Sequence, residues 1–223
     1  MLPGRNEGSM KRYKKVTKLT DNPFLNLYQM DALDKEQKEF NYYFASRNDT
    51  EKLKLAVQEN VPEGVTIFAM TQEAQPRMVL IKEYRYPLDD YIYDLPAGLV
   101  EEGEEATAAA ARELKEETGL SYTLFDTGSR IMENPAFMAP GTSDESNITT
   151  FGYVNGEASE AGCESTEDIQ VVLADKKQVK IILEQEKISA RAAYLMLLFL
   201  AVDPQEPFAF LKNCCQEDGY DTV

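Results

Sequence analysis

Three glutamates near the middle of the chain are spaced three and four residues apart. Glu113, Glu116 and Glu117 belong to EATAAAARELKEET at residues 105–118, a run of strong helix formers. In a helix this spacing places the carboxylates on one face, where each exposed pair costs about 0.2–0.5 kcal/mol by repulsion. Mg²⁺ binds such carboxylate oxygens. The spacing therefore indicates a metal site, with Arg112 one turn from Glu116 and able to orient it.

A solvated acidic face on an alanine-rich helix is the alternative, and the helix by itself does not exclude it. The wider spacing favours the metal site, because the chain matches G-x5-E-x7-R-E-U-x-E-E-x-G-U, U being aliphatic, at every fixed position. The matching residues are Gly98, Glu104, Arg112, Glu113, Leu114, Glu116, Glu117, Gly119 and Leu120. This pattern is the Nudix signature, and the chain resembles the Nudix hydrolase family.

The resemblance implies roles for the residues of the signature. It implies that Glu113 and Glu117 are the principal metal ligands and that Glu116 is a further ligand or a partner of the ligands. Arg112 is implied to hold the glutamates in place, so that Arg112 and Glu116 count among the catalytic residues. The implied cofactor is Mg²⁺, with Mn²⁺ as the alternative ion.

Two segments around the signature narrow the resemblance to the ADP-ribose pyrophosphatase branch. They are DLPAGLVEEGE at residues 94–104 and IKEYRYP at residues 81–87. The resemblance makes the backbone carbonyl of Ala97 a metal ligand and places Gly98 of the same tight turn in the substrate site. It also implies that Arg85 contacts a substrate phosphate.

A loop downstream of the signature, NPAFMAPGTSDES at residues 134–146, resembles the branch's proline–glycine loop with its acidic residue. The resemblance implies that Glu145 positions or deprotonates the attacking water. The register of the loop stays open, because both Pro135 and Pro140 can be aligned with the branch's proline, and Asp144 is the alternative carboxylate. A polar surface turn is the other interpretation of this loop.

The order of strands and helices along the sequence predicts an α+β fold that positions the candidate residues. The expected architecture is an α/β/α sandwich with a small N-terminal antiparallel β appendage. Strands are expected at 64–70, 77–84, 91–95, 121–126, 147–154 and 168–174, and helices at 105–118, 175–185 and from Ser189 to Asp203-Pro204. Residues 48–63 are expected to form a linker. The predicted organisation is a disordered 1–10, an appendage at 11–60, a hydrolase domain at 61–205 and a tail at 206–223.

The N-terminal appendage fits the same branch, where the corresponding region pairs with a second subunit and helps to bind adenine. Tyr28, Tyr42 and Tyr43 are the aromatic residues available to stack on a base, although aromatic residues of strands more often belong to the core. Arg47 is a further candidate for substrate contact, against the ordinary alternative of a solvent-facing arginine. The resemblance implies a homodimer.

Composition excludes several other classes of function. The net charge of −16 disfavours binding to nucleic acid, and the absence of histidine leaves acid–base and metal chemistry to carboxylates. Cys163, Cys214 and Cys215 are expected to be reduced thiols in a cytoplasmic protein. The polar N-terminus lacks the apolar run of a signal peptide, and the apolar run at 192–202 is too short to span a bilayer, so a buried core helix is expected there.

The expected reaction is the Mg²⁺-dependent hydrolysis of the pyrophosphate of ADP-ribose to AMP and ribose 5-phosphate. One alternative keeps this chemistry with another nucleoside diphosphate sugar or a dinucleotide as substrate. The other alternative is a non-catalytic Nudix module that senses a ligand. The expected partner is a small nucleoside diphosphate compound, with neither nucleic acid nor membrane.

Overall fold

The computed structural model describes residues 11–126 and 133–214, with the backbone alone at 213 and 214. Among these residues, one compact unit comprises 11–61 and 137–146, and a second comprises 62–126, 133–136 and 147–214. The predicted disorder of residues 1–10 lies outside the described residues. So do the thiol groups of Cys214 and Cys215. Cys163 is a free thiol.

The first unit contains the predicted antiparallel sheet. Its strands are β1 (Tyr13–Lys18), β2 (Asn26–Leu33) and β3 (Glu39–Ser46), in the order β1-β2-β3. A tight turn joins β2 to β3 because the Asp34 carboxylate accepts hydrogen bonds from the N–H groups of Glu36 and Lys38. The N-terminal β appendage is therefore confirmed.

The stretch predicted to be a linker contains an ordered element that packs into the first unit. Helix α1 (Lys54–Val57) lies within it, and the preceding Leu53 is fully buried with Tyr28 and Phe44. The linker prediction is wrong here, because one apolar residue in a polar stretch is enough to anchor a turn of helix to the sheet. Tyr28 is likewise buried at 0% exposure and stacks on Phe44, so it cannot stack on a base.

The second unit is built on a mixed sheet with the strand order β11-β5-β4-β10-β8. Strand β6 pairs with β5, and β7 pairs with β4; β4 and β10 are parallel. The strands are β4 (Gly64–Thr71), β5 (Met78–Arg85), β6 (Asp90–Asp94), β7 (Ala97–Leu99), β8 (Ser121–Leu124), β9 (Ala136–Phe137), β10 (Ser146–Asn155) and β11 (Ile169–Ala174). Phe137 of β9 and Ser146 of β10 are counted with the first unit. The strands expected from the sequence are present to within a few residues.

Helices cover both faces of this sheet, as in the expected sandwich. Strand β4 is buried along its whole length because its side chains alternate between two apolar clusters. Phe68 and Met70 pack with helices α3 (Lys176–Gln185) and α4 (Ala190–Ala201), whereas Ile67 and Ala69 pack with helix α2 (Ala106–Thr118). Each helix begins or ends near its predicted limit, and the Ser189 hydroxyl caps α4 by accepting a hydrogen bond from the Ala192 N–H.

The described part of the predicted tail at 206–223, residues 206–214, contains a helix and buried side chains. Helix α5 (Ala209–Cys214) follows α4, and Phe208 and Leu211 are buried in the same cluster as Phe199. Phe208 packs against Phe68 of β4, and Phe210 packs against Phe151 of β10. None of the helices in the described residues is long and apolar enough to cross a membrane.

Candidate functional site

Helix α2 separates apolar residues from carboxylates and thereby sets the direction of the acidic side chains. Ala109, Ala110 and Leu114 are fully buried in the cluster formed with β4. The helix ends at Gly119, whose φ of 70° lies in the left-handed region that glycine tolerates best. With both its buried face and its end fixed, the helix holds the three glutamates in a defined position.

Glu117 is the deepest of the three glutamates, with 4% exposure. Its carboxylate accepts a hydrogen bond from the backbone N–H of Ala97 at 3.1 Å. Burial raises the pKa of Glu117 well above its usual range; the Ala97 N–H opposes this shift. The negative charges of Glu83, Glu113 and Glu167 raise the pKa further. A positive charge bound here would stabilise the ionised carboxylate.

Glu113 lies against the backbone of Gly98. A Cβ atom at residue 98 would stand 1.9 Å from the carboxyl carbon of Glu113, so a larger residue at this position would displace the Glu113 carboxylate. Ala97 and Gly98 belong to the short strand β7 and pair with Thr66 and Val65 of β4. The prediction of a tight turn at these two residues is therefore wrong, because pairing with β4 holds them in an extended conformation.

Arg112 joins the glutamates of α2 to the loop before the helix. Its guanidinium donates to both carboxylate oxygens of Glu104, at 3.1 and 2.9 Å, and to the carbonyl oxygen of Leu99 at 3.0 Å. It also donates to Glu113 at 2.9 Å and to Glu116 at 3.1 Å. The hydrogen bonds that Arg112 donates to Glu104 are the main reason that the pKa of Arg112 is raised. Arg112 thus connects three acidic side chains and one backbone carbonyl.

A second loop brings further carboxylates to the same place. The Ser159 N–H donates to the carbonyl oxygen of Thr118 at 2.9 Å, and the Cys163 thiol lies 3.6 Å from the carbonyl oxygen of Glu117. Gly162 is packed so closely that a Cβ atom would stand 2.6 Å from the carbonyl oxygen of Glu116. The loop from 156 to 168 is therefore fastened to the C-terminal end of α2.

A cavity of about 480 Å³ lies between α2, β7 and this loop. It is lined by Ala97, Gly98, Leu99, Glu101, Arg112, Glu113, Glu116, Gly162, Glu164 and Glu167. Glu164 and Glu167 were not predicted from the sequence. The available signal was the acidic composition of CESTED before a strand, but no spacing rule links it to the signature some fifty residues earlier.

The carboxylates in this cavity suit a hard divalent cation by their chemistry. Within residues 11–126 and 133–214, no three His, Cys, Asp or Glu side chains are already arranged as a metal-binding group. Arg112 is hydrogen-bonded to Glu113 and Glu116, and the Ala97 N–H to Glu117. The donors nevertheless fit Mg²⁺, because they are all oxygen atoms and Gly98 leaves room for the Glu113 carboxylate.

Arg85, expected to contact a substrate phosphate, lies at the end of β5 and is not among the residues that line the cavity. Its guanidinium is 2.7 Å from the Glu83 carboxylate and 3.6 Å from that of Asp94. Its side chain retains 38% exposure. The side chain is thus held by acidic neighbours and remains accessible from solvent.

The remaining candidate residues lie in the first unit. Glu145 and Arg47 form an ion pair at 3.5 Å, and the N–H of Glu145 donates to the Ser143 hydroxyl. Tyr43 is half exposed, whereas the Tyr42 hydroxyl donates to the carbonyl oxygen of Gly141 at 2.6 Å. Arg47 is thus paired with the carboxylate predicted to handle the water.

Asp144, the alternative to Glu145, is held differently. One of its carboxylate oxygens accepts a hydrogen bond from the Lys54 N–H at 3.4 Å, and the other is buried without a hydrogen-bond partner in the described residues. As whole residues, Asp144 and Glu145 are both half-buried, so both stay candidates for the carboxylate that handles the water.

Comparison with known proteins identifies the family. The NUDIX domain model matches residues 60–191, more than half of the chain. Nudix hydrolase 2 of Caenorhabditis elegans is 38% identical over 121 residues, 51% of this chain and 52% of that protein, so the match spans about half the relative's length. The ADP-ribose pyrophosphatase of Bacillus subtilis is 32% identical over 139 residues, 60% of this chain and 69% of that protein.

A solved structure described as an ADP compounds hydrolase superposes with a TM-score of 0.62, covering 85% of this chain and 93% of that chain. At 19% identity this likeness supports the fold alone. Together with the complete signature on α2 and β7, the match of the domain model shows that the chain belongs to the Nudix hydrolase family and, within it, is similar to the ADP-ribose pyrophosphatases.

Proposed function

We propose that this protein is a Mg²⁺-dependent hydrolase that converts ADP-ribose and water to AMP and ribose 5-phosphate. The observation that carries the proposal is the acidic cavity, which Glu113 and Glu116 of α2 line together with Ala97, Gly98 and the loop carboxylates. The choice of ADP-ribose is supported by the similarity to the Bacillus subtilis protein named ADP-ribose pyrophosphatase. Mn²⁺ is the alternative ion, and a complete signature argues against a non-catalytic sensor.

The residues that would hold the cation are Glu113, Glu116, Glu117 and the carbonyl group of Ala97. A bound divalent cation would neutralise the pyrophosphate and lower the pKa of a coordinated water. Arg112 keeps the glutamates oriented through its hydrogen bonds to Glu113 and Glu116. This preorganisation matters because phosphoryl transfer is accelerated mainly by positioning and charge stabilisation.

Glu145 is proposed to accept the proton of the attacking water. The water oxygen forms a new bond to one phosphorus atom while the bond from that phosphorus to the bridging oxygen breaks, and the two phosphate monoesters leave. Asp144 is the alternative to Glu145, and Glu164 and Glu167 are further alternatives because they line the cavity. Substrate contacts are proposed for Arg85, Arg47, Tyr43 and Gly98.

The proposed organisation of the whole protein follows from the same resemblance. Residues 11–60 would form the appendage that pairs two subunits, and residues 61–205 the hydrolase domain, whose core also includes Phe208 and Leu211. The proposed partner is a small nucleoside diphosphate compound in the cytoplasm. The net charge of −16 disfavours nucleic acid as a partner, since phosphate backbones would be repelled.

A substrate panel tests the proposed activity. ADP-ribose, NADH, UDP-glucose, GDP-mannose and diadenosine polyphosphates are compared at saturating Mg²⁺, and AMP or the matching monophosphate is quantified. We expect ADP-ribose to give the highest kcat/KM. A UDP- or GDP-sugar that exceeds it tenfold would change the substrate assignment, and loss of all turnover on removal of divalent ions is the expected control.

A further inference from the structure

A largely buried ion pair lies beside the cavity and has no role in the reaction proposed above. Arg191, in the first turn of α4, donates to both carboxylate oxygens of Asp94 at 2.9 Å. The Asp94 residue is 3% exposed, and the Arg191 side chain retains 21% exposure. Such a bidentate pair fixes both the position and the orientation of its two side chains.

Asp94 stands at the start of the segment that carries Ala97. It is the last residue of β6, and its carboxylate also accepts a hydrogen bond from the Leu95 N–H at 2.8 Å. The next residue, Pro96, accepts a hydrogen bond at its carbonyl oxygen from the Ile67 N–H of β4 at 2.9 Å. Because Ala97 follows Asp94 by only three residues, a movement of the Asp94 side chain would also displace Ala97.

Arg191 also contacts β4, the strand with which Ala97 pairs. Its guanidinium lies 3.4 Å from the Thr66 hydroxyl, and Thr66 is the residue of β4 that pairs with Ala97. Ala97 in turn donates its N–H to Glu117. Arg191 thus contacts both Asp94, three residues before Ala97, and Thr66, which pairs with Ala97 across the strands.

The positive charge of Arg191 attracts the carboxylates of Asp94, Glu117 and Glu83. Burial opposes its positive charge, but the hydrogen bonds and attraction of Asp94, with the charges of Glu117 and Glu83, raise its pKa. Arg85 is a second cation near this group, 3.6 Å from Asp94. A buried ion pair is a weak source of stability, because the cost of removing two charges from water offsets their attraction. The fixed geometry of the ion pair matters more for the proposed metal site than its contribution to stability.

We propose that Arg191 is a positioning residue of the acidic site: by clamping Asp94 and Thr66 it orients Ala97 and Glu117 for a divalent cation. The inference rests on the proposed function in that it assumes a cation at these ligands. Residues that orient metal ligands typically change metal affinity by about 10–100-fold when they are replaced. The same range is expected here.

The test measures Mn²⁺ binding to the metal-free protein without substrate, from the EPR signal of free Mn²⁺. Arg191→Lys keeps the charge but loses the two-pronged contact. The matched control is Arg77→Lys, because Arg77 makes a similar bidentate pair with Glu73 at the surface, at 3.1 and 2.7 Å. We expect the dissociation constant of Arg191→Lys to rise about 10–100-fold and that of Arg77→Lys to change less than twofold.

A second variant separates positioning from the effect of an unpaired buried charge. In the double variant Asp94→Asn/Arg191→Met neither charge remains, so folding should survive even if a single variant fails to fold, as checked by circular dichroism. We expect its Mn²⁺ affinity to stay as low as that of Arg191→Lys. Wild-type affinity in Arg191→Lys, or in the folded double variant, would overturn the inference.

An error in the proposed function can be told apart from an error in the role of Arg191. If the wild-type protein binds no Mn²⁺, the proposed metal site and this inference fall together. If it binds Mn²⁺ but hydrolyses none of the substrates in the panel, the proposed reaction is wrong, whereas the comparison of variants still decides the role of Arg191.

Discussion

Glu117 is the residue at which burial and charge conflict most strongly. The residue is 4% exposed and its carboxylate is close to other acidic side chains, so without a cation the ionised form is disfavoured. A divalent ion that binds only the folded protein adds about 2.7 kcal/mol of stability at a hundred times its dissociation constant. For a chain of this length, that is a rise of several degrees in melting temperature, since about 1 kcal/mol moves it by about 2–4 °C.

We expect Glu117→Gln to lose most of this Mg²⁺-dependent rise and most of the activity, because one ligand and one buried charge are removed together. Differential scanning calorimetry with Mg²⁺ and with EDTA, at equal ionic strength, measures the rise. The control is Glu105→Gln, an exposed glutamate at the start of α2 that does not line the cavity. A full Mg²⁺ shift and wild-type turnover in Glu117→Gln would mean that the cluster is only a solvated acidic face.

Glu145 gives a second prediction at the residue scale, because a proton acceptor acts mainly in the transition state. Glu145→Gln should lower kcat by about 10²–10⁴-fold with little change in KM. Glu164→Gln and Glu167→Gln are measured beside it, since both residues line the cavity. If Glu145→Gln stays within threefold of wild type while one of the others loses activity, the proton acceptor is on the loop from 156 to 168.

At the scale of elements, the parts of the site that are local in sequence could be predicted. The signature runs from the end of β7 through α2, so its spacing alone places Gly98, Arg112 and Glu117 together. The alternation in β4 and the cap at Ser189 are equally local patterns. These patterns work because each depends on helix or strand periodicity over fewer than about twenty residues.

The parts that depend on contacts between distant segments could not be predicted. The Cys163 thiol meets the Glu117 carbonyl across 46 residues, and the Arg191 side chain meets Asp94 across 97. Likewise, the burial of Leu53 and of Phe208 follows from sheet faces that lie elsewhere in the sequence. The sequence therefore did not reveal that the polar stretch at 48–63 and the segment after residue 205 contribute residues to the two cores.

The contact between the loop and α2 leads to a prediction about this element. In Gly162→Ala the new Cβ atom would stand 2.6 Å from the Glu116 carbonyl oxygen, so the loop must move. A displacement of about 1 Å in a catalytic group can cost about 10²-fold in rate, and we expect kcat/KM to fall accordingly. The melting temperature should change little, because the loop is largely exposed.

Ser165→Ala is the control for this prediction, since Ser165 is exposed in the same loop and does not line the cavity. Steady-state kinetics of the two variants, at matched Mg²⁺, make the comparison. Unchanged kcat/KM in Gly162→Ala would mean that Glu164 and Glu167 contribute nothing to the reaction, although they line the cavity.

At the scale of the whole molecule, the first unit has an apolar surface that its own small core does not cover. Leu19, Leu25, Leu27 and Tyr43 are each between 42% and 51% exposed. Leu27 and Tyr43 lie on the same face of the sheet, because β2 and β3 pair with Gln29 opposite Tyr43 and side chains alternate along each strand. Apolar patches of this kind mark interaction surfaces in soluble proteins.

We therefore expect the active protein to be a homodimer in which this patch is buried against a second copy. Light scattering should give twice the chain mass of 25.2 kDa for the wild type. Leu27→Lys should shift the mass toward one chain, because a lysine at the centre of the patch brings an ammonium group into the interface, where it would be desolvated. The strands themselves should persist, since Leu27 is exposed within the unit.

Leu197→Lys is the matched control, since Leu197 is an equally prominent exposed leucine, 55% exposed, on α4 of the second unit. It should leave the mass at two chains. Activity measured on the same samples tests whether the pairing of subunits is needed for the reaction, and we expect Leu27→Lys to lose activity in parallel with its mass. A wild-type protein that is fully active at the mass of a single chain would exclude the dimer, and the exposed leucines would then be ordinary surface residues.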